Sequence, residues 1–477
     1  MKVCFCTFNA YALFDPNSRN RFGGMEVRAT RFARGLAERP GFDVTCVVRD
    51  EGQYPRQRFG RVAVVVEPPA PEAPAAIPLP ECQPRGRRRK RAWSDNVYLR
   101  FRTAAERVDG FPWVRIHRWD VNLLWQVPAL ALNKPLRWAR QRLADWWFRR
   151  RPPHPATTDF YASLKPDVVC AFGVNEWSAR VIASCRKYGQ QSVLFLASDH
   201  DLLEEYHYGS TQRSPHQDLG HYCWYALHHA DQIVVQTERQ REQLRARFGR
   251  DGMLIRNPLP QPTAGPIPPE LSDQPGSFVL WVGRAERANK RPELCVELAR
   301  RCPHVPFVAV MNRSDNALFR ELCAAAPANL RIIESVPFDQ IDAYFARSLA
   351  LVNTSVCEGF PNTFLQAAAH GVPILSLLVD PDDFISRQGC GAACGDDMDR
   401  LAAEVTRVAS DVNYRNALGA AGRRYVAERH NLDGRVDELA DLLLAMEGPK
   451  IVPFAVRALT TRLRRRAGRQ RRVREAA

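Results

Sequence analysis

A chain of 477 residues exceeds what one ordinary core organises and calls for two domains with room for an extra segment. Hydrophobic residues at 45% and charged residues at 25% exclude a disordered or fibrous class. The formal net charge of +16 points instead to an anionic partner: nucleic acid, a phosphorylated molecule or an acidic membrane surface.

The chain opens Met1-Lys2-Val3-Cys4-Phe5-Cys6, straight into a strand, without the apolar run and small-residue cleavage site of a signal peptide. Cys4 and Cys6 lie inside that apolar run. They belong to an odd set of 13 cysteines without paired C-x2-C units, which reads as reduced thiols in a core and not as a metal site. The strand Val3–Phe8 is followed by a polar loop ending in Gly23-Gly24, a helix over Met25–Arg39 stopped by Pro40-Gly41, and a strand over Phe42–Val48. Alternating strands and helices predict a parallel sheet with helices on both faces. The alternation breaks over about 68–155. Pro and Ala dominate 68–84, Arg85–Arg91 is almost wholly basic, and Trp138, Trp146 and Trp147 stand among many arginines. In helical register Leu132, Leu136, Ala139, Leu143, Trp146 and Trp147 share a face flanked by Arg137, Arg140, Arg142 and Arg149–Arg151. That pattern suits either packing on a sheet or a helix lying in an anionic membrane interface.

Strand and helix alternate again from Lys165-Pro166-Asp167, with a helix near Trp177–Tyr188 and a strand over Ser192–Ala197. The polar run Ser198-Asp199-His200-Asp201 follows, then a strand over Ala230–Thr237. The Pro-rich 258–275 links this domain, 1–262, to a second one, 276–430. Its strands are expected at Phe278–Val282, Phe307–Met311, Leu330–Ile333, Leu349–Asn353 and Val372–Leu377. A closing helix in 431–448 and a basic tail over 449–477 complete the chain. No stretch reaches the roughly 18 apolar residues that span a bilayer, so a cytoplasmic location is expected.

The most informative segment runs from Val356 to Gln366. It follows a strand and opens a helix, with Pro361 near the first turn and Gly371 just past the end. Exposed amides at such a helix start attract an anion such as a diphosphate. Glu358, just before it, either accepts hydrogen bonds from hydroxyls, as on a sugar ring, or complements the helix dipole. Arg284 and Lys290, close behind an apolar strand, are placed to neutralise a diphosphate, or form a solvated basic loop. Gly23 and Gly24 allow close backbone approach to a phosphate or sugar, or simply make a turn.

Together these segments resemble glycosyltransferase family 4, over most of the chain outside the insertion and the tail. Gly283, Arg284 and Lys290 match the family's Gly-Arg segment with its following Lys, and Gly23-Gly24 match its opening loop. Lys165-Pro166-Asp167 and the Ala230-Asp231 strand also look like family landmarks. The family's pair of glutamates, separated by seven residues, falls on Glu358 and Gln366. The resemblance implies the GT-B architecture: two Rossmann-like, doubly wound parallel-sheet α/β domains facing across a cleft, with 431–448 packing back towards the first. It also implies retaining transfer from a nucleoside-diphosphate sugar to a glycan or lipid-linked acceptor, as in polysaccharide biosynthesis, without metal or other cofactor. Arg284 and Lys290 would stabilise the diphosphate and Glu358 would contact the donor sugar. Gly23, Gly24, Gly359, Phe360, Pro361, Asn362 and Gln366 would complete the donor site. Gln366 keeps an acceptor oxygen but loses the charge that normally holds the ribose. Asp199 or His200 would touch the reacting sugar or the acceptor hydroxyl, and the loop near Glu334–Phe338 the nucleobase. An anionic membrane at the inner face of the cell would be a partner. A catalytically degenerate nucleotide- or glycan-binding protein is the alternative. No motif supports specific nucleic-acid binding.

Overall fold

The computed structural model describes residues 1–15, 18, 22–68, 115–116, 119–120, 146, 148–262, 268, 271 and 277–446. The Pro/Ala-rich segment, the basic run Arg85–Arg91, the expected amphipathic stretch up to Leu143 together with Trp147, and the tail lie outside these residues. Pro69–Pro153 is a unit of its own. Within it Arg115–Ile116 and Trp119–Asp120 pair as a short antiparallel ribbon, and the Arg150 guanidinium lies 4.4 Å from the ring centroid of the exposed Trp146.

The other unit, Met1–Pro68 with His154–Ala477, carries two sheets. The first has eight strands in the order Met253–Leu254, Gln232–Val235, Gln191–Phe195, Val168–Phe172, Lys2–Cys6, Asp43–Arg49, Val62–Glu67 and Arg56–Phe59. All neighbours are parallel except the last pair, a hairpin that turns at Gly60 with φ +59°. Helices cover both faces, so the strands read as nearly unbroken apolar runs. Side chains still alternate: Val3 and Phe5 enter the core under the first helix, Gly24–Ala37, while Cys4 and Cys6 enter the core under the helices Glu176–Tyr188 and Gly220–His229. The helix Glu176–Tyr188 starts where the Asn175 side chain accepts from Ser178 N–H at 2.8 Å. It ends at Gly189, whose φ of +74° only glycine adopts readily. Ten of the twelve described cysteines are buried, and burial pushes up the thiol pKa of Cys6, Cys46, Cys170 and Cys185. Among the described residues no helix is long and apolar enough to cross a membrane.

The second sheet has six parallel strands in the order Leu330–Ile333, Phe307–Asn312, Phe278–Arg284, Ser348–Asn353, Ile374–Ser376 and Gly391–Ala393. It too is covered on both faces: Val279 and Trp281 face one core, Phe278 and Leu280 the other. Two long helices follow it, Met398–Ser410 and Val412–Arg429. The second of these lays Gly419 and Gly422 against the helix Asn362–Ala369 and its terminal turn.

The last described helix, Leu432–Ala445, returns to the first domain and lies along Gly24–Ala37. Val436, Leu439 and Leu443 join Phe32 and Leu36 in one core, Gly35 leaves room for Val436, and Arg39 pairs with Asp433 and Asp437. Just before it, the fully buried His430 donates from Nδ1 to Asn257 O at 2.8 Å. Burial lowers its pKa to about 3. Because an exposed imidazole titrates near ~6.5, the unfolded chain gains this proton first as pH falls. Folding stability therefore declines between about pH 6.5 and about 3, by up to about 1.4 kcal/mol per pH unit. We expect His430→Gln to shrink the difference between urea midpoints measured at pH 7 and pH 5.

A second tie between the domains runs through Pro381-Asp382-Asp383. The Asp382 carboxylate accepts from Glu238 N–H at 2.9 Å and Arg239 N–H at 3.0 Å, capping the first-domain helix Glu238–Phe248. Asp382 and Asp383 sit at φ +53° and +54°, a left-handed conformation that such contacts must sustain.

Candidate active site

Strands Phe278–Arg284 and Ser348–Asn353 are neighbours at the centre of the second sheet. From the first the chain crosses one way, to Phe307–Asn312, and from the second the other way, to Ile374–Ser376. The strand order reverses between them, which opens a crevice at their carboxyl ends. The loops leaving these two strands are the segments singled out above.

Hydrogen bonds join the two loops. Thr354 Oγ1 donates to Lys290 O at 2.6 Å and accepts from Trp281 Nε1 at 3.0 Å. Asn289 O accepts from Val356 N–H at 2.9 Å and Asn289 Oδ1 from Cys357 N–H at 2.8 Å. Arg291, at φ +47°, donates from Nε to Thr354 O at 2.7 Å. The result brings Lys290 Nζ onto Glu358 Oε1 as an ion pair, with the side chains 21% and 17% exposed. Arg284 stands exposed at the strand end, and no hydrogen bond or ion pair holds its guanidinium among the described residues. Gly283 is needed because a Cβ there would overlap the Trp281 ring.

Downstream of Glu358 the backbone turns into the helix Asn362–Ala369. Phe360, expected among the donor contacts, places its ring elsewhere: it is 4% exposed and packs on Phe384 and His430, at centroid distances of 5.3 and 4.9 Å. Pro361 is buried and precedes the first helical residue. The Asn362 side chain donates from Nδ2 to Gly24 O at 2.8 Å, so the first turns of Gly24–Ala37 and Asn362–Ala369 abut. At Gly23 the N–H is already taken, by Glu26 Oε2 at 2.8 Å, and Glu26 is itself 4% exposed. Gly24 is tight against Asn362, and Gly359 has no room for a Cβ beside Ala197 O and Gln236. Gln366 lies one turn into the helix, 8% exposed.

Asp199 and His200 begin a short turn after strand Gln191–Phe195. Asp199 N–H donates to Glu358 O at 3.3 Å, and its carboxylate accepts from Gln240 Nε2 at 3.1 Å. Burial raises the Asp199 pKa. The His200 ring lies 6.4 Å from His216. Burial and then His216 lower its pKa, opposed by the negative charges of Glu358 and Glu286. Cys357 is pushed up to about 12, chiefly by burial, which leaves it a poor nucleophile. Arg313 pairs with Glu334, and Phe338 meets first-domain Phe22 edge-on at 5.6 Å. Among the described residues no three His, Cys, Asp or Glu side chains cluster as metal ligands. Sequence reasoning missed Trp281, Asn289, Arg291 and Thr354, which make no chemistry of their own but set where Lys290 and Glu358 meet.

Residues 276–411 match the family described as glycosyl transferases group 1. The chain is 30% identical over 171 residues to the lipopolysaccharide 1,6-galactosyltransferase of Salmonella typhimurium. That match covers 33% of this chain and 46% of the relative's length. Among solved structures it is similar to the sucrose-phosphate synthase of Thermosynechococcus elongatus, with a TM-score of 0.61 and 14% identity over 94% of this chain and 99% of that one. It is also similar to a trehalose-6-phosphate protein from E. coli bound with UDP-2-fluoro glucose, with a TM-score of 0.57 and 12% identity over 95% and 100%. At these identities the two structures speak for the fold. The second domain thus carries a group 1 glycosyl transferase match, and the two parallel-sheet domains together have the GT-B fold.

Proposed function

We propose that the chain transfers a sugar from a nucleoside-diphosphate sugar to a glycan or lipid-linked acceptor, with retention of anomeric configuration, as the family 4 resemblance implies. The observation that carries this is the Lys290–Glu358 ion pair at the crevice where the strand order reverses. An ammonium and a carboxylate neutralise each other while the crevice holds no donor. A donor engages both: its diphosphate takes the ammonium, and its sugar hydroxyls donate to the carboxylate that is released. Arg284, already disengaged, adds a planar fork for the phosphate. The N–H groups of Asn362 and Thr363, unpaired among the described residues at a helix start, add further donors. As the bond to the leaving phosphate breaks, negative charge grows there, and fixed cations stabilise that state more than the ground state. The proposal therefore calls for no metal or other cofactor. Asp199 and His200 enter from the first domain, where the acceptor hydroxyl would arrive. A hydrolysis and transfer screen over UDP-, GDP- and ADP-sugars tests the reading. Tight nucleotide binding without turnover would leave only a binding protein.

Gln366 should still accept a hydrogen bond from the ribose. A neutral hydrogen bond contributes about 0.5–1.5 kcal/mol, so Gln366→Ala should weaken nucleoside-diphosphate affinity severalfold by calorimetric titration. Unchanged affinity would mean that the ribose is held elsewhere. We also propose an anionic membrane surface as a partner of the basic insertion and tail. Sedimentation with vesicles should then require anionic lipid and weaken in high salt.

A further inference from the structure

The backbone around Glu358 is gripped from outside its own domain. Beyond the Asp199 contact, Phe360 N–H donates to Gln236 Oε1 at 3.0 Å, and Phe360 O accepts from Asn257 Nδ2 at 2.9 Å. The two amides also bond each other, Asn257 Nδ2 to Gln236 Oε1 at 3.2 Å, and both residues are 2% exposed. Leu196, Gln236 and Asn257 follow the carboxyl ends of three adjacent first-domain strands, Gln191–Phe195, Gln232–Val235 and Met253–Leu254. Their orientation is fixed from below. Gln236 Nε2 donates to Leu196 O at 2.7 Å, which leaves Oε1 to face Phe360. Arg28, 2% exposed, donates to Leu196 O at 2.7 Å and Ile255 O at 3.0 Å, lacing the same strand ends together. Asn257 O is held by His430, whose ring packs on Phe360.

We propose that Gln236 and Asn257 are positioning residues that set the Glu358 carboxylate from the opposite domain. They bind both polar groups of the residue two places beyond Glu358. Gly359, between, passes so close to Ala197 O and Gln236 that a Cβ there would overlap them. The carboxylate therefore reaches its working position only when the second domain sits on the first. Of the diphosphate contacts proposed above, Arg284 and Lys290 belong to the other loop and Asn362 has its own anchor at Gly24 O, so nucleotide affinity does not pass through Gln236. This inference rests on the proposed role of Glu358.

The test uses the full chain with Gln236→Leu, Glu358→Gln and the double variant, assayed with whichever UDP-, GDP- or ADP-sugar is turned over. Gln236→Leu should lower kcat on the order of 10- to 100-fold, the scale of a displaced reacting group. Affinity for UDP, GDP or ADP should stay within about twofold. The double variant should be no slower than Glu358→Gln alone, because residues acting through one another are not additive. A general loss of structure would instead multiply the two losses and lower nucleotide affinity as well, and either result overturns the proposal. If Gln236→Leu does not fold, as judged by its thermal melt, Asn257→Ala is read by the same criteria. Near-normal kcat in Gln236→Leu with a crippled Glu358→Gln overturns the positioning role alone. Normal transfer by Glu358→Gln, or no turnover of any nucleotide sugar, overturns the reading on which it rests.

Discussion

Replacing Lys290 with alanine should lower turnover of a confirmed nucleoside-diphosphate sugar by about 100- to 1000-fold, the typical loss when one preorganised charge contact is removed. Glu358→Ala should lose on the same order. Both side chains belong to loop tips and enter neither core of the second domain. Each substitution leaves a part-buried partner without its counter-ion, so the stability cost should fall between the ~0–1 kcal/mol of exposed pairs and the ~3–5 kcal/mol of fully buried ones. Circular dichroism melts near wild type would establish that the fold survives. A well-folded Lys290→Ala protein with near-normal turnover would sink the mechanism.

Gly419→Ala should destabilise the chain, although alanine is favoured over glycine inside a helix by about 1 kcal/mol. Gly419 is a helical residue of Val412–Arg429, and a Cβ there would overlap the carbonyl oxygen of Gly371, a backbone atom in the turn ending the helix Asn362–Ala369. Gly371 cannot easily yield, since its φ of +69° and the Arg423–His370 contact at 3.1 Å define that turn. Overpacking of this kind costs typically ~1–3 kcal/mol and more where backbone must move, so the net sign is unfavourable. A lower thermal midpoint in Gly419→Ala would show it. The displaced element carries Asn362 and Gln366, so nucleotide affinity should fall alongside. A variant as stable as the parent would mean that the two helices separate freely.

The contrast between these two sites shows what could be read from residues alone. Phe278–Arg284 and Phe307–Asn312 were legible because sheets covered on both faces demand unbroken apolar strands. The edge strand Arg56–Phe59 was not, because its sequence is Arg-Gln-Arg-Phe and one side of it meets solvent. Val412–Arg429 escaped notice for a different reason: its packed face mixes Gly419 and Gly422, whose small size lets helices approach, with Leu418 and Val426, and the glycines dilute the apolar period. At the site, Arg284, Lys290 and Glu358 stood out by type and spacing. Phe360 stood beside them in sequence, yet its ring turns into the core. Gln236 and Asn257 gave no signal, since a polar residue after a strand looks like any loop until three strand ends are set side by side. Asp382 was equally silent, as a cap supplied by another domain has no local pattern.

The return of Leu432–Ala445 to the first domain has a consequence for biosynthesis. Arg39 and Asp437, which it joins, are 398 residues apart. At the usual pace of about 5–20 residues per second, the ribosome needs roughly 20–80 s between making one and making the other. Throughout that interval Phe32 and Leu36 lack the partners that close their core. Apolar surface exposed for that long is the kind that chaperones bind and that draws nascent chains together. A premature stop just upstream of Leu432 would leave Arg284, Lys290 and Glu358 in place. Such a product could nonetheless never bury a surface near its own beginning.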